Sequence, residues 1–99
     1  MSTITLPFDV TKLQEICRQN DVAMMAVFGS MARGEATKES DVDLLVRFIK
    51  QKSLLALAQL ALQIEATIGR PVDLLTEAAI HPALRDEIHH DLQVIYGQI

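Results

Sequence analysis

Short apolar runs alternate along this chain with longer stretches of mixed polarity, and the two patterns predict strands and helices in turn. Val22–Phe28 is almost wholly apolar, which is typical of a strand buried in a sheet. Val42–Phe48 and residues 71–76 and 92–96 are short apolar runs that predict three further strands. We therefore expect four strands, separated by segments that are long enough to form helices.

Helical periodicity, with start and stop signals, marks three of those segments. The first covers residues 9–20, where Asp9 or Thr11 can cap the helix. The second covers residues 53–68, from a serine cap to a closing glycine, and the third covers residues 82–90, from a proline in the first turn. This order of elements predicts an α/β (α+β) fold, a small mixed β-sheet flanked by helices on one side.

Composition and charge restrict the class of protein. With 99 residues and a hydrophobic share of 49%, the chain can form one domain with a core. No apolar run approaches the ~18 residues that span a bilayer, residues 1–5 lack the features of a signal peptide, and Cys17 stands alone. A net charge of −4 argues against a stable nucleic-acid partner, since such binders usually carry a basic stripe. We expect a cytoplasmic protein without a membrane partner.

Two aspartates, Asp41 and Asp43, lead into the second predicted strand. Side chains alternate along a strand, so both carboxylates point to one face, roughly 6.5–7 Å apart along the chain. Two like charges on a partly buried sheet repel each other and lose hydration, and a divalent cation relieves both penalties. Oxygen ligands without a converging Cys or His favour Mg²⁺ or Mn²⁺ over zinc. Taken alone, the pair also fits an ordinary exposed strand face.

A third carboxylate, Asp73, lies on the next predicted strand, where residues 72–75 repeat the Val-Asp-Leu-Leu of residues 42–45. If the two strands are neighbours at about 4.8 Å, Asp73 reaches the same face as the first two aspartates. Three carboxylates from two strands can hold two metal ions for an in-line phosphoryl displacement. Taken alone, Asp73 can equally be an edge-strand charge that discourages aggregation.

A candidate phosphate-binding turn follows the first strand. Gly29 lets the backbone approach a ligand, and Ser30 opens the next segment, where free N–H groups and a hydroxyl can bind an anion. Arg33 is a second candidate contact, although it can equally tie the loop to a nearby carboxylate. The turn matches the first six positions of a P-loop, but Glu35 and Ala36 stand where that motif needs Lys and then Ser or Thr. The P-loop interpretation is therefore rejected.

These motifs together resemble a known family. The glycine–serine turn and the Asp-x-Asp of residues 29–44, followed by the aspartate of residues 72–74, resemble the signature of the DNA polymerase β-like nucleotidyltransferase superfamily. The short length matches its minimal nucleotidyltransferase branch. The resemblance implies a nucleotidyltransferase fold and a single minimal nucleotidyltransferase domain over residues 1–99.

The resemblance also implies roles for the residues of the motifs. Asp41 and Asp43 would hold Mg²⁺ and the triphosphate of the substrate. Gly29 and Ser30 would cradle the phosphates, and Asp73 would help to activate the acceptor hydroxyl and complete the metal site.

Family members of this size imply a protein partner. They are typically encoded beside a helical HEPN protein, often a toxic ribonuclease, and act as its antitoxin in a heteromeric complex; some transfer AMP from ATP onto a tyrosine of that toxin. Two alternatives stay open: an antitoxin that neutralises its toxin by contact alone, and an aminoglycoside-type transferase that modifies a small molecule. Nothing in the sequence itself selects ATP over another nucleoside triphosphate.

The helix predicted over residues 53–68 carries a second apolar stripe, which is an independent indication of a partner. Exposed Leu and Ala are also common helix formers, so the stripe by itself does not decide the matter. The predicted core stripe is Leu54, Leu57, Ala61, Ile64 and Ile68, and the second stripe is Leu55, Leu62 and Ala66.

Overall fold

A four-stranded sheet and four α-helices make up the part of the chain that the computed structural model describes, residues 6–37 and 39–98. The expectation about a signal peptide concerns residues 1–5, which lie outside the described residues. None of the described helices combines the length and the apolarity that a membrane crossing requires. In chain order the elements are α1 (Val10–Gln19), β1 (Val22–Phe28), α2 (Gly29–Ala32), β2 (Val42–Phe48), α3 (Leu54–Ile68), β3 (Val72–Thr76), a 3₁₀ turn (Glu77–Ala79), α4 (Pro82–Asp91) and β4 (Gln93–Gly97).

The N-caps that the sequence predicts are present on α1 and α3. Asp9 caps α1, since its carboxylate accepts a 2.9 Å hydrogen bond from the N–H of Thr11. Ser53 caps α3 by accepting a 3.1 Å bond from the N–H of Ala56. Gly69 ends α3 in the left-handed region, at φ 73°. The predicted helix bounds are thus confirmed to within one or two residues.

The sheet has the order β3-β2-β1-β4 and is mixed, as predicted. β1 is antiparallel to both β2 and β4, whereas β2 is parallel to β3. A parallel neighbour requires a crossover, which α3 supplies. The parallel register pairs Asp43 with Asp73, so the condition for the third carboxylate to reach the first pair is met.

Helices cover both faces of the sheet, whereas the sequence predicted helices on one side. The rest of the predicted fold class is confirmed. On one face of the sheet, α1 and α3 cover the larger cluster, including Met25 and Val27 of β1. On the other face, Met24, Ala26 and Phe28 pack with Leu45, Ile80 and side chains of α4. Because β1 is apolar on both faces, helices on one side cannot bury it, and α4 with the 3₁₀ turn covers the second face.

The buried face of α3 also differs from the predicted stripe. Leu60 and Ile64 are its buried centre, whereas Leu54, which was expected in the core, is 84% exposed. Leu54 lies about 120° round the helix from Leu60, which places it on the flank. The second stripe is exposed as predicted, with Leu55 at 68% and Leu62 at 65%.

Candidate active site

Two of the three predicted aspartates lie side by side on the second sheet face, and the third is close enough for its charge to act on Asp43. Asp43 is on β2, directly paired with Asp73 on the parallel strand β3, so their side chains share one face. Asp41 comes two residues before Asp43, on the loop that enters β2. Asp43 is half-buried, while Asp41 and Asp73 are exposed. The structure therefore brings together one shielded carboxylate and two that face solvent.

The electrostatics of this group centre on Asp43. Burial raises the pKa of the Asp43 carboxyl above its usual value, and the nearby charges of Asp73 and then Asp41 raise that pKa further, while Arg33 opposes the shift. Without a cation the native protein therefore holds negative charge where the surroundings disfavour it. A bound cation would reverse that balance.

The turn at Gly29 lies against the same carboxylate. Gly29 has φ +72°, in the left-handed region that favours glycine. A Cβ at this position would overlap Oδ2 of Asp43 and lie 3.3 Å from its Cγ. Glycine is thus required twice, by backbone conformation and by the close approach of the turn to Asp43.

Gly29–Ala32 form the single turn α2, which presents its N-terminal end at this point. The N-cap residue, Phe28, has no side-chain acceptor to offer to the first N–H groups of the turn. Later amides close the turn, with the N–H of Glu35 donating to the carbonyl of Ser30 at 2.9 Å. First-turn N–H groups lack partners within their own helix, so an anion such as phosphate can accept from them.

Arg33 takes the second of its two predicted roles in this structure. Its Nη1 donates to Oδ2 of Asp91 at 3.1 Å and its Nε to Oε2 of Glu35 at 3.3 Å. The bond from Arg33 lowers the pKa of the Asp91 carboxyl. Arg33 thereby ties the turn after β1 to the end of α4. Sequence reasoning missed Asp91, which lies 58 residues away, and no motif around it marks that contact.

A divalent cation fits the donor set, although the carboxylates are not gathered round one point. The described residues include no group of three or more His, Cys, Asp or Glu side chains placed to hold a metal ion as they stand. The donors are carboxylate oxygens, which Mg²⁺ prefers. They lie beside Gly29, where a Cβ would overlap the Asp43 carboxylate. Asp43 and Asp73, with Asp41 nearby, are thus the described carboxylates that would be available to a divalent cation at this turn.

Two recesses lie near opposite ends of β2. A recess of about 230 Å³ beside Gly29 is lined by three apolar residues, Phe28, Leu84 and Ile88, and by three charged ones, Arg33, Glu87 and Asp91. A larger one, of about 440 Å³, lies at the far end of β2 and is not near the aspartates. Of these two recesses, the smaller one is lined by Gly29 and therefore adjoins the turn that contacts Asp43.

The chain matches the family model described as nucleotidyltransferase domain over residues 10–95. It is 43% identical over 77 residues to a Methanocaldococcus jannaschii protein named as a candidate protein adenylyltransferase, covering 78% of this chain and 83% of the relative. It is 40% identical over 67 residues to the protein adenylyltransferase MntA of Thermococcus cleftensis, covering 68% of each.

Solved structures give the same fold. A candidate minimal nucleotidyltransferase, 36% identical, superposes with a TM-score of 0.75 over 85% of this chain and 86% of its own. The MNT antitoxin in a complex with a tri-AMPylated HEPN toxin of Shewanella oneidensis superposes with a TM-score of 0.70 over 90% of this chain and 70% of that one; at 19% identity it supports the fold alone. With the match over residues 10–95 and relatives at 40% identity or above, the chain belongs to the nucleotidyltransferase domain family.

Proposed function

We propose that this protein is a Mg²⁺-dependent nucleotidyltransferase that moves AMP from ATP onto a hydroxyl of a partner protein, and that it acts in this way as the antitoxin of a HEPN-type toxin in the cytoplasm. One observation carries the proposal: the register of β2 and β3 sets Asp43 beside Asp73, with the Gly29 turn against Asp43. Nucleotidyl transfer needs both features in one place, because the cation ligands and the phosphate grip act on the same triphosphate.

Five of the six predicted site residues, all except Arg33, have an assigned role in this reaction. The turn at Gly29 and Ser30 binds phosphate oxygens through its N–H groups and the serine hydroxyl. Asp41 and Asp43 would hold Mg²⁺, and the bound ion would offset phosphate charge and polarise the α-phosphorus. Asp73 takes the proton from the acceptor hydroxyl, whose oxygen bonds to the α-phosphorus as the bond to the bridging oxygen breaks and pyrophosphate leaves.

The choice of ATP and of a protein acceptor rests on the relatives. Both curated relatives carry the name protein adenylyltransferase. The Shewanella oneidensis complex joins an MNT antitoxin with a HEPN toxin that bears AMP. The same donor, acceptor class and partner are proposed for this chain.

A binding-only antitoxin is the second candidate, and the solvent face of α3 favours it. Leu55 and Leu62 are exposed there, and the single charged residue of α3 is Glu65. The Glu65 carboxylate is turned to the N–H of Val72, from which it accepts a 2.9 Å bond. A helix face without charge and with exposed leucines is typical of a surface that another protein covers. Contact across this face would neutralise a toxin without nucleotide transfer.

Labelled nucleotides test the enzymatic proposal. The purified protein is incubated with Mg²⁺, each α-³²P-labelled nucleoside triphosphate in turn, and the product of the adjacent gene as the candidate partner. Label from ATP should appear on the partner protein and should be absent when EDTA replaces Mg²⁺. Failure to label an active partner with any of the four nucleotides contradicts the proposal, and label on an aminoglycoside in place of the partner would support the small-molecule alternative.

Matched variants separate transfer from contact. Asp41→Asn combined with Asp43→Asn removes the proposed cation ligands, and Glu15→Gln removes one exposed carboxylate from α1, on the other side of the sheet. The enzymatic proposal expects the first variant to lose both labelling and toxin neutralisation, and the second to keep both. If the double variant binds the toxin and still neutralises it, the binding-only function is the correct one.

A further inference from the structure

Arg70 joins the loop in front of Asp41 to the strand that carries Asp73. It lies between the left-handed Gly69 that ends α3 and the first residues of β3. Its Nη1 donates to the carbonyl of Thr37 at 3.0 Å and to that of Ser40 at 3.4 Å. Arg70 is part-buried. One guanidinium nitrogen thus spans two carbonyls of the turn that leads into Asp41.

That turn is closed on itself by hydrogen bonds of its own. The N–H of Thr37 donates to Oγ of Ser40 at 2.8 Å, and the N–H of Ser40 donates to the carbonyl of Thr37 at 3.2 Å. These bonds set the shape of the turn, but they do not attach it to the sheet. Among the described residues, Arg70 adds side-chain hydrogen bonds that attach this turn to the start of the β3 segment.

The backbone on either side of Asp41 is hydrogen-bonded to Arg70 and Pro71, the two residues that directly precede β3. On its N-terminal side the carbonyl of Ser40 accepts from Arg70. On its C-terminal side the N–H of Val42 donates to the carbonyl of Pro71 at 2.9 Å. The backbone of Asp41 is therefore clamped between two contacts to the segment that leads directly to Asp73. Loss of the Arg70 contact would remove one of these two described backbone attachments.

We propose that Arg70 is a positioning residue that sets the place of Asp41 relative to Asp43 and Asp73, and thereby the affinity of the site for a divalent cation. The inference rests on the proposed function, in which these carboxylates bind the cation with the triphosphate. Arg70 itself touches neither. It acts through the backbone of the loop, as a support for a residue that contacts the cation.

The test measures cation affinity directly. Binding of Mn²⁺ in the presence of α,β-methylene-ATP, an analogue that does not undergo transfer, is followed by the electron paramagnetic resonance signal of free Mn²⁺. Arg70→Met, which keeps an unbranched apolar stem and removes the guanidinium donors, should weaken Mn²⁺ binding about tenfold. Arg18→Met removes the same charge from an exposed position of α1 and should leave the affinity unchanged. Arg70→Lys keeps the charge and some donor capacity and should restore part of the affinity.

Two further measurements distinguish positioning from general destabilisation or from lost charge. The transfer rate of Arg70→Met should return to the wild-type value at saturating Mg²⁺, whereas a partly unfolded variant would not be rescued. Ser40→Ala disturbs the same turn by a different route, so its effect and that of Arg70→Met should be less than additive.

Each contrary result has a distinct meaning. Equal Mn²⁺ affinity for wild type and Arg70→Met overturns the positioning role and leaves the proposed function intact. Equal loss in Arg18→Met and Arg70→Met also overturns it, since charge alone would then explain the effect. A wild-type protein that binds no Mn²⁺ with the analogue overturns the proposed function, and the inference falls with it.

Discussion

Replacing Asp43 by asparagine should abolish transfer and, in the absence of a cation, make the protein more stable. Burial, then the charges of Asp73 and Asp41, raise the pKa of the Asp43 carboxyl in the folded state. The ionised carboxylate therefore opposes folding. This penalty is absent at a pH below the ordinary aspartate pKa of about 3.9, grows as the pH rises, and is complete above the raised folded pKa.

The size of the effect follows from the register. Asp43 and Asp73 are paired on adjacent strands, roughly 4.8 Å apart. Two unit charges about 5 Å apart repel by about 0.8 kcal/mol in water and by about 3 kcal/mol at an effective dielectric constant of 20. Because Asp73 is exposed, the lower end of that range applies, and we expect about 1 kcal/mol. For a domain of this length, that amounts to a rise in Tm of about 4–8 °C.

Thermal unfolding in EDTA at pH 7.5 and at pH 3.5 measures this difference. Asp43→Asn should melt higher than wild type at pH 7.5, with most of the difference lost at pH 3.5, where the wild-type carboxyl is largely protonated. Asp73→Asn should give a smaller gain, because it removes the repulsion between the two carboxylates but leaves Asp43 half-buried. The double variant should gain less than the sum of the two. An Asp43→Asn protein that is less stable than wild type at pH 7.5, by an amount that does not change with pH, would refute the electrostatic reasoning.

Two further predictions concern the turn after β1. Gly29→Ala should reduce transfer more than 100-fold, since its Cβ would displace the Asp43 carboxylate. Gly34 has the same φ of +72° but no described atom within 4 Å of its Cβ, so Gly34→Ala should only lose roughly 1–2 kcal/mol of stability to left-handed strain. Transfer rates and urea midpoints of the two variants measure this, and equal rates would contradict it. Arg33→Met should raise the KM for ATP about tenfold while Asp91→Asn should not, because ATP phosphates would take the place of Asp91 as the partner of Arg33. Steady-state kinetics measures both variants, and an equal rise in KM would assign Arg33 a structural role only.

Local chemistry made much of the fold and site predictable. The continuous apolar run of β1 can only be a buried segment, and the serine and glycine at the two ends of α3 satisfy or end the helix by interactions with neighbouring residues. The placement of Asp73 beside Asp43 followed from a repeated strand pattern, once the two strands were assumed to be neighbours. Each of these inferences needs only residues that are close in sequence.

The features that escaped prediction depend on distant parts of the chain. α4 covers the second face of the sheet because α1 and α3 leave that face of β1 uncovered. The periodicity of α4 by itself does not encode which face it covers. Leu54 has the spacing of a core residue, but the centre of the buried face is set by what packs against Leu60 and Ile64. The partner of Arg33 is a carboxylate at the end of a helix 58 residues later, which composition and spacing could not identify.

Calorimetric titration of α,β-methylene-ATP tests the central claim most directly, that the carboxylates of Asp41, Asp43 and Asp73 bind a cation together with the triphosphate held at the Gly29 turn. With Mg²⁺ present, the wild-type protein should bind the analogue, and binding should disappear both in EDTA and in the Asp43→Asn variant. Binding of equal strength with and without Mg²⁺, or no binding by the wild-type protein in either condition, would contradict the account.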